Sequence, residues 1–148
     1  MNVASVLLPD SMARMLWTAE IGKLVMRLTL GGLLIFHGVA KLRSGVGGIA
    51  GRLEELGLPE SLAYLVYIGE VVAPLLVIIG LWTRPAALIV AINMVVAIAL
   101  AHSGQIIDFG RSGGLALELQ AFYLFTAIAV ALLGAGRFSA GGSAGRFN

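Results

Sequence analysis

SLAYLVYIGEVVAPLLVIIGLW, residues 61–82, decides the class of this protein, and Glu70 is its only charged residue. A helix needs roughly 20 apolar residues to cross about 30 Å of hydrocarbon. The run is too long for a strand and shows none of the alternation of an outer-membrane barrel strand. Pro74 follows Glu70 by four positions. It cannot donate to the carbonyl at position 70 and tends to kink the helix there. A carboxyl group and a freed backbone oxygen are thus expected together, about 14 Å from the nearer end of the span.

Three further runs resemble it, at Ile21–Leu42, Pro85–His102 and Leu115–Leu133. The chain of 148 residues is 59% hydrophobic and only 12% charged, with a mean hydropathy of +0.96. A compact domain of this size in water could not hide so much apolar surface, so lipid is the expected solvent. The same balance excludes a disordered chain. A nucleic-acid partner is not expected, because the net charge is only +2 and the basic residues are scattered. There is no cysteine, so any thiol step belongs to another molecule.

The expected fold is all-α: an integral membrane four-helix bundle, up-down antiparallel, with helices at about 21–42, 61–82, 85–102 and 115–133. Residues 1–20 read as an interfacial segment, 21–138 as the transmembrane domain and 139–148 as a Gly/Ser-rich flexible tail. The punctuation agrees. Pro59 and Pro85 stand at helix starts, and Gly134 and Gly136 follow the last run. The loop 43–60 contains Ile49, Leu53 and Leu56, the apolar face of a short amphipathic helix between glycines. Small residues at Gly31-Gly32, Ala87 and Ala91, Ala97 and Ala101, and Ala127 and Ala131 suit close helix contact in lipid. They leave a homo-oligomer open. Arg14, Lys23, Arg27, Arg84, Arg137 and Arg146 fall on the side of both termini, against Lys41, Arg43, Arg52 and Arg111 opposite. This bias places both termini in the cytoplasm.

An ionisable side chain inside a span costs at least about 2.5–3.5 kcal/mol and needs a partner or a task. Glu70 is the candidate proton-transfer group, with Tyr67 one turn earlier on its face. The alternative is a structural ion pair, for instance with Arg27. His37 and Lys41, four apart, form a pocket for an anion or a carbonyl oxygen; otherwise Lys41 snorkels and His37 caps a neighbouring carbonyl. His102 and Glu118 end and begin spans on the same side, so His37, Glu70, His102 and Glu118 are expected to converge. Asn93 is expected to hydrogen-bond between helices. No Glu-x-x-His spacing is present, and no metal site is assigned. No phosphate loop, dinucleotide fingerprint or hydrolase triad is present either.

The order of several short motifs resembles the DoxX family of small bacterial membrane proteins. They are Arg27-Leu28, Leu33-Leu34-Ile35-Phe36-His37-Gly38-Val39-Ala40-Lys41-Leu42, Leu56-Gly57-Leu58-Pro59, Gly69-Glu70 and Gly80-Leu81-Trp82-Thr83-Arg84. His102, the Gly113-Gly114 to Glu118 step and Leu133-Gly134-Ala135-Gly136-Arg137 complete the pattern, from Lys23 to Ser139. The resemblance implies a four-helix membrane bundle in the bacterial inner (plasma) membrane. It also implies likeness to the DoxD-type subunit of thiosulfate:quinone oxidoreductase and to membrane partners of a superoxide dismutase and a sulfurtransferase. It carries weight onto His37, Lys41, Glu70, His102 and Glu118. The expected function is a redox-associated membrane subunit that binds a quinone or similar amphipathic ligand and works beside a soluble redox partner. A membrane anchor for soluble proteins and a small-molecule carrier are the alternatives.

Overall fold

A computed structural model describes residues 10–101, 108–109, 113–142, 145 and 147–148. Among these residues the chain forms five helices and no strand; Phe109 and Leu115 make one isolated bridge. Helix α1 is Asp10–Ser44, 35 residues long. It runs through the boundary expected at Ile21 because no proline interrupts the sequence there. It stops at Gly45, whose positive φ turns the chain while its N–H donates to the Lys41 carbonyl at 2.8 Å. Helix α2, Gly47–Glu55, is the short amphipathic piece. Val46 and Leu53 bury against Ala63, with Ile49, Val66 and Leu100 packed alongside.

Helix α3, Glu60–Ile79, changes winding along its 20 residues. It opens as a 3-10 helix over Glu60–Leu65, widens to a π turn over Ile68–Val72 and ends as α-helix over Ala73–Ile79. The π turn precedes Pro74, and the Ala73 N–H donates to the Ile68 carbonyl, five residues back. The helix stops at Gly80 in the left-handed region, where Gly80 N–H and Leu81 N–H both donate to the Leu76 carbonyl. Helix α4 is Thr83–Ala101 and α5 is Glu118–Leu133.

α1 packs on α3 and α5, and α4 packs on α3 and α5; α2 lies against the start of α3 and against α4. Ala87, Ala91, Ala127 and Ala131 are buried in the shared core of α4 and α5, where small side chains let backbones approach. The outer surface is the reverse of a soluble protein's. Phe36, Phe122 and Leu132 are each more than 70% exposed. α3 and, in α4, Thr83–Leu100 are long and apolar enough to cross a membrane, with mean hydropathy 2.3 and 1.9.

One end of the molecule is sealed by arginines. Arg27, 1% exposed, donates to the carbonyls of Val77 (2.9 Å), Ile78 (2.8 Å), Ala135 (2.5 Å) and Phe138 (2.9 Å). The first two are last-turn carbonyls of α3, which have no partner within their own helix. The alternative pairing of Arg27 with Glu70 is therefore replaced by a carbonyl cage. Arg84 does the same for α5, donating to Ala131, Leu132 and Asn148 carbonyls. The Gly/Ser-rich tail is not loose where it is described: Ala140 N–H and Gly141 N–H donate to the Ile79 and Gly80 carbonyls, and Asn148 is buried. Its polar backbone supplies the donors that the end of α3 lacks. At the same end Arg137 stacks on Trp17, its guanidinium 4.9 Å from the ring centre. Hydrogen bonds from Lys23 and from the Arg137 N–H hold the Glu20 carboxyl below its ordinary range.

Replacing Arg27 with alanine strands four carbonyls at once. At about 1–3 kcal/mol for a buried group left unsatisfied, Arg27→Ala is expected to cost at least about 3 kcal/mol. Arg27→Lys should recover little of it, because an ammonium cannot present a planar fork. Thermal unfolding in detergent reads both.

Candidate functional site

Arg27, Gly31, Leu34, Gly38 and Lys41 follow one another at spacings of four and three, so they form one row along α1. Two members of the row are glycines because α3 comes too close for anything else. A Cβ at Gly31 would lie 2.8 Å from the Pro74 carbonyl oxygen, and one at Gly38 would press into the Glu70 carbonyl and, at 2.7 Å, the Val71 side chain. This approach brings the next member of the row, Lys41, onto Glu70. Its ammonium donates to both carboxylate oxygens. Lys41 turns to Glu70 rather than snorkelling, and among the described residues no arginine pairs with that carboxylate.

The opposite flank of Glu70 is built the same way. A Cβ at Gly69 would stand 2.7 Å from Asn93 Oδ1, so α4 also closes on α3 through a missing side chain. Asn93 Nδ2 donates to Glu70 Oε1 at 3.4 Å. The carboxylate, on a residue only 3% exposed, thus sits where α1, α3 and α4 meet. A buried carboxylate is tolerated only with such partners. Tyr67 contributes from behind, its hydroxyl donating to the Lys41 carbonyl at 3.2 Å and tying the end of α1 to α3.

Beside this pair lies a cavity of about 1020 Å³. His37 and Lys41 line it from α1, Gly69 and Glu70 from α3, Asn93 and Met94 from α4, and Gln120 and Tyr123 from α5; Val46, Ile49 and Leu53 border it at the α2 end. The rest of the wall is mostly apolar. The His37 ring meets Tyr123 edge to face, at 5.8 Å and 85°. Such a chamber can take an amphipathic guest: it offers ammonium, imidazole, amide and phenol groups at one wall and hydrocarbon elsewhere.

The structure brings His37, Lys41 and Glu70 of the expected set together and adds Asn93, which the sequence places only as an inter-helix contact. Tyr67 and Glu118 do not line the cavity; Glu118 is exposed at the start of α5, with its carboxylate against Gly114. His102 lies outside the described residues. Among the described residues no group of three or more His, Asp or Glu could hold a metal ion. Gln120 and Tyr123 were missed. Their signal was available, since two polar-tipped residues three apart in an apolar helix share a face.

The DoxX family profile matches residues 22–103, which contain His37, Lys41, Glu70 and Asn93. The chain belongs to the DoxX family. It is similar to "Putative oxidoreductase CatD" of Bacillus subtilis (strain 168), with 33% identity over 79 residues, 53% of this chain. The match spans 58% of that relative's length. No solved structure matches.

Removing one charge from the pair leaves the other buried alone. Lys41→Met is expected to destabilise the protein by about 3–5 kcal/mol, whereas Lys41→Met with Glu70→Met should regain most of that loss. Denaturation of the two single variants and the double variant in one detergent provides the comparison.

Proposed function

We propose that this DoxX protein is a multi-pass subunit of the bacterial inner membrane that holds a quinone or a similar amphipathic ligand in the cavity beside Glu70. The helices would cross the bilayer as an antiparallel up-down set of four, with both termini in the cytoplasm. Three features support that placement: the apolar outer surface, the length of α3 and α4, and the excess of Lys and Arg at the end where Arg27 lies. The observation that carries the ligand reading is the juxtaposition of the Lys41–Glu70 pair with a large, mostly apolar chamber. A purely structural ion pair needs no space beside it.

The chemistry follows from the donors present. An ammonium has three N–H bonds, so Lys41 can serve a ligand carbonyl while still bonded to Glu70. His37 and Tyr123 stand together on the same wall, His37 one turn along α1 from Lys41. Reduction of a quinone to a quinol takes two electrons and two protons. The electrons would come from a soluble partner oxidoreductase, because this chain has no cysteine to shuttle them. The Lys41–Glu70 pair, whose mobile proton is on the ammonium, would give one of the protons to a ligand oxygen, and a protonated His37 would give the other. The reading agrees in kind with the name of the Bacillus relative. An anchor for soluble proteins would require the paired charges but not the chamber.

The test is binding of a short-chain benzoquinone to purified protein. Wild type should bind it, and Glu70→Gln and His37→Ala should each weaken binding by about tenfold, the loss of one good hydrogen bond to a charged or polar group. Absence of binding by wild type, or equal affinity in all three proteins, would leave the anchor reading in its place.

A further inference from the structure

The cavity does not end at its polar wall. Leu62, Leu65 and Ile68 of α3 and Ile89, Ile92 and Val96 of α4 line the same continuous space as Glu70. All six keep much accessible surface; Ile92 is 62% exposed and Leu65 56%. The space is not closed, and these six accessible apolar side chains of α3 and α4 point to an opening between the two helices. The unusual winding of α3 makes one bank of this opening straight. In a 3-10 helix residues three apart eclipse one another, so Leu62 stacks on Leu65, and Ile68 continues the row into the π turn. On α4, Ile89, Ile92 and Val96 hold one face at helical spacing, over about 10 Å. Gly69 and Asn93, which touch, bring α3 and α4 together at the level of Glu70 and mark the inner end of the groove.

The polar wall also selects by charge. Lys41 and Glu70 neutralise each other, so an anionic head would meet the carboxylate and a cationic head the ammonium. Arg52, at the cavity border, is itself 3.9 Å from Glu55. We propose that the ligand is a neutral, long-chain membrane lipid whose head bonds at Lys41, Glu70 and Asn93 while its chain lies in the α3–α4 groove and leaves sideways into the bilayer. This rests on the reading that the chamber holds an amphipathic ligand. It adds the charge state of the head, the presence of the chain and the route of entry. No path through water is needed for such a molecule to reach Glu70.

Chain length alone is a poor probe, because detergent and lipid solvate a chain as well as the groove does. Position is the better readout. The probe is a benzoquinone bearing a decyl chain with a terminal diazirine, photolysed on the full chain in lipid nanodiscs and mapped by peptide mass spectrometry. Adducts should concentrate on the Leu62–Ile68 and Ile89–Val96 segments and disappear with excess unlabelled decyl-benzoquinone. Ile92→Trp, at an exposed position, should weaken binding of the decyl compound by about tenfold through overpacking of the groove. It should leave tail-less benzoquinone binding unchanged. Leu88→Trp, exposed on α4 but outside the cavity wall, should change neither. Adducts spread equally over the outer face of α5, at Phe122 and Phe125, would mean ordinary lipid contact and overturn the groove. Equal loss of decyl and tail-less binding in Ile92→Trp would overturn it too. Groove labelling that competes normally, with no binding of the tail-less compound and no effect of Glu70→Gln, would sink the head site and leave the groove standing.

Discussion

A single close approach governs this molecule: α1 against α3, where Gly38 faces the Glu70 backbone. An ion pair in a low-dielectric setting gains from Coulomb attraction only if both partners are held in contact, since each charge alone carries a large desolvation penalty. The glycine supplies that contact by omission. Any side chain at position 38 would push α3 away and lengthen the reach that Lys41 must make. A second omission, at Gly69, lets Asn93 reach the same carboxylate from α4. The buried charge thus acts as a measure of helix separation. It is satisfied only when three helices stand at the right distance, and the chamber beside it inherits its shape from that requirement.

The backbone around Glu70 is matched to this role. Pro74 removes the donor that would have bonded the Glu70 carbonyl, and the chain adopts a π turn over the residues just before it. A π turn adds a residue to the circuit and re-aims the side chains that follow. Here it separates a 3-10 segment that follows the groove from an α segment that packs in the core, where Ala73 and Val77 are fully buried. One helix therefore serves two surfaces with different periods. A uniform α-helix over Glu60–Ile79 would rotate Leu62 away from Leu65 and break the straight bank.

Much of this is written in local sequence. The apolar runs, the helix end at Gly134, and the meeting of a carboxyl group with Pro74 follow from side-chain chemistry and from amide hydrogen bonding; the end of α3 at Gly80, short of the expected Trp82, does not. The carbonyl cage around Arg27 does not. An arginine in an apolar run signals a partner, but a carboxylate and a set of helix-end carbonyls satisfy it equally, and only the three-dimensional path of α3 decides. Tyr123 is legible only together with Gln120, three residues before it; taken alone, between Phe122 and Phe125, it reads as one more aromatic at the membrane boundary. The tail misleads most. Its Gly/Ser composition suggests freedom, yet a glycine-rich backbone is also what can press closely against the exposed carbonyls of another helix end. Gly38 is visible in sequence only as a gap beside His37; its purpose depends on what stands opposite.

These differences divide the molecule into two ends with opposite priorities. At one, Arg27, Arg84 and the returning tail satisfy the terminal carbonyls of α3 and α5. At the other, the polar groups are spent on a space rather than on closure. The helix beside that space, α2, contains Gly47, Gly48 and Gly51, each with open room for a side chain. Packing does not require glycine at these positions, and each costs about 0.5–1 kcal/mol relative to alanine in a helix. α2 holds its place through Val46 and Leu53 against Ala63, not through its own propensity. Buried side-chain hydrogen bonds gather at the arginine end, whereas the helix that borders the cavity is held by apolar packing.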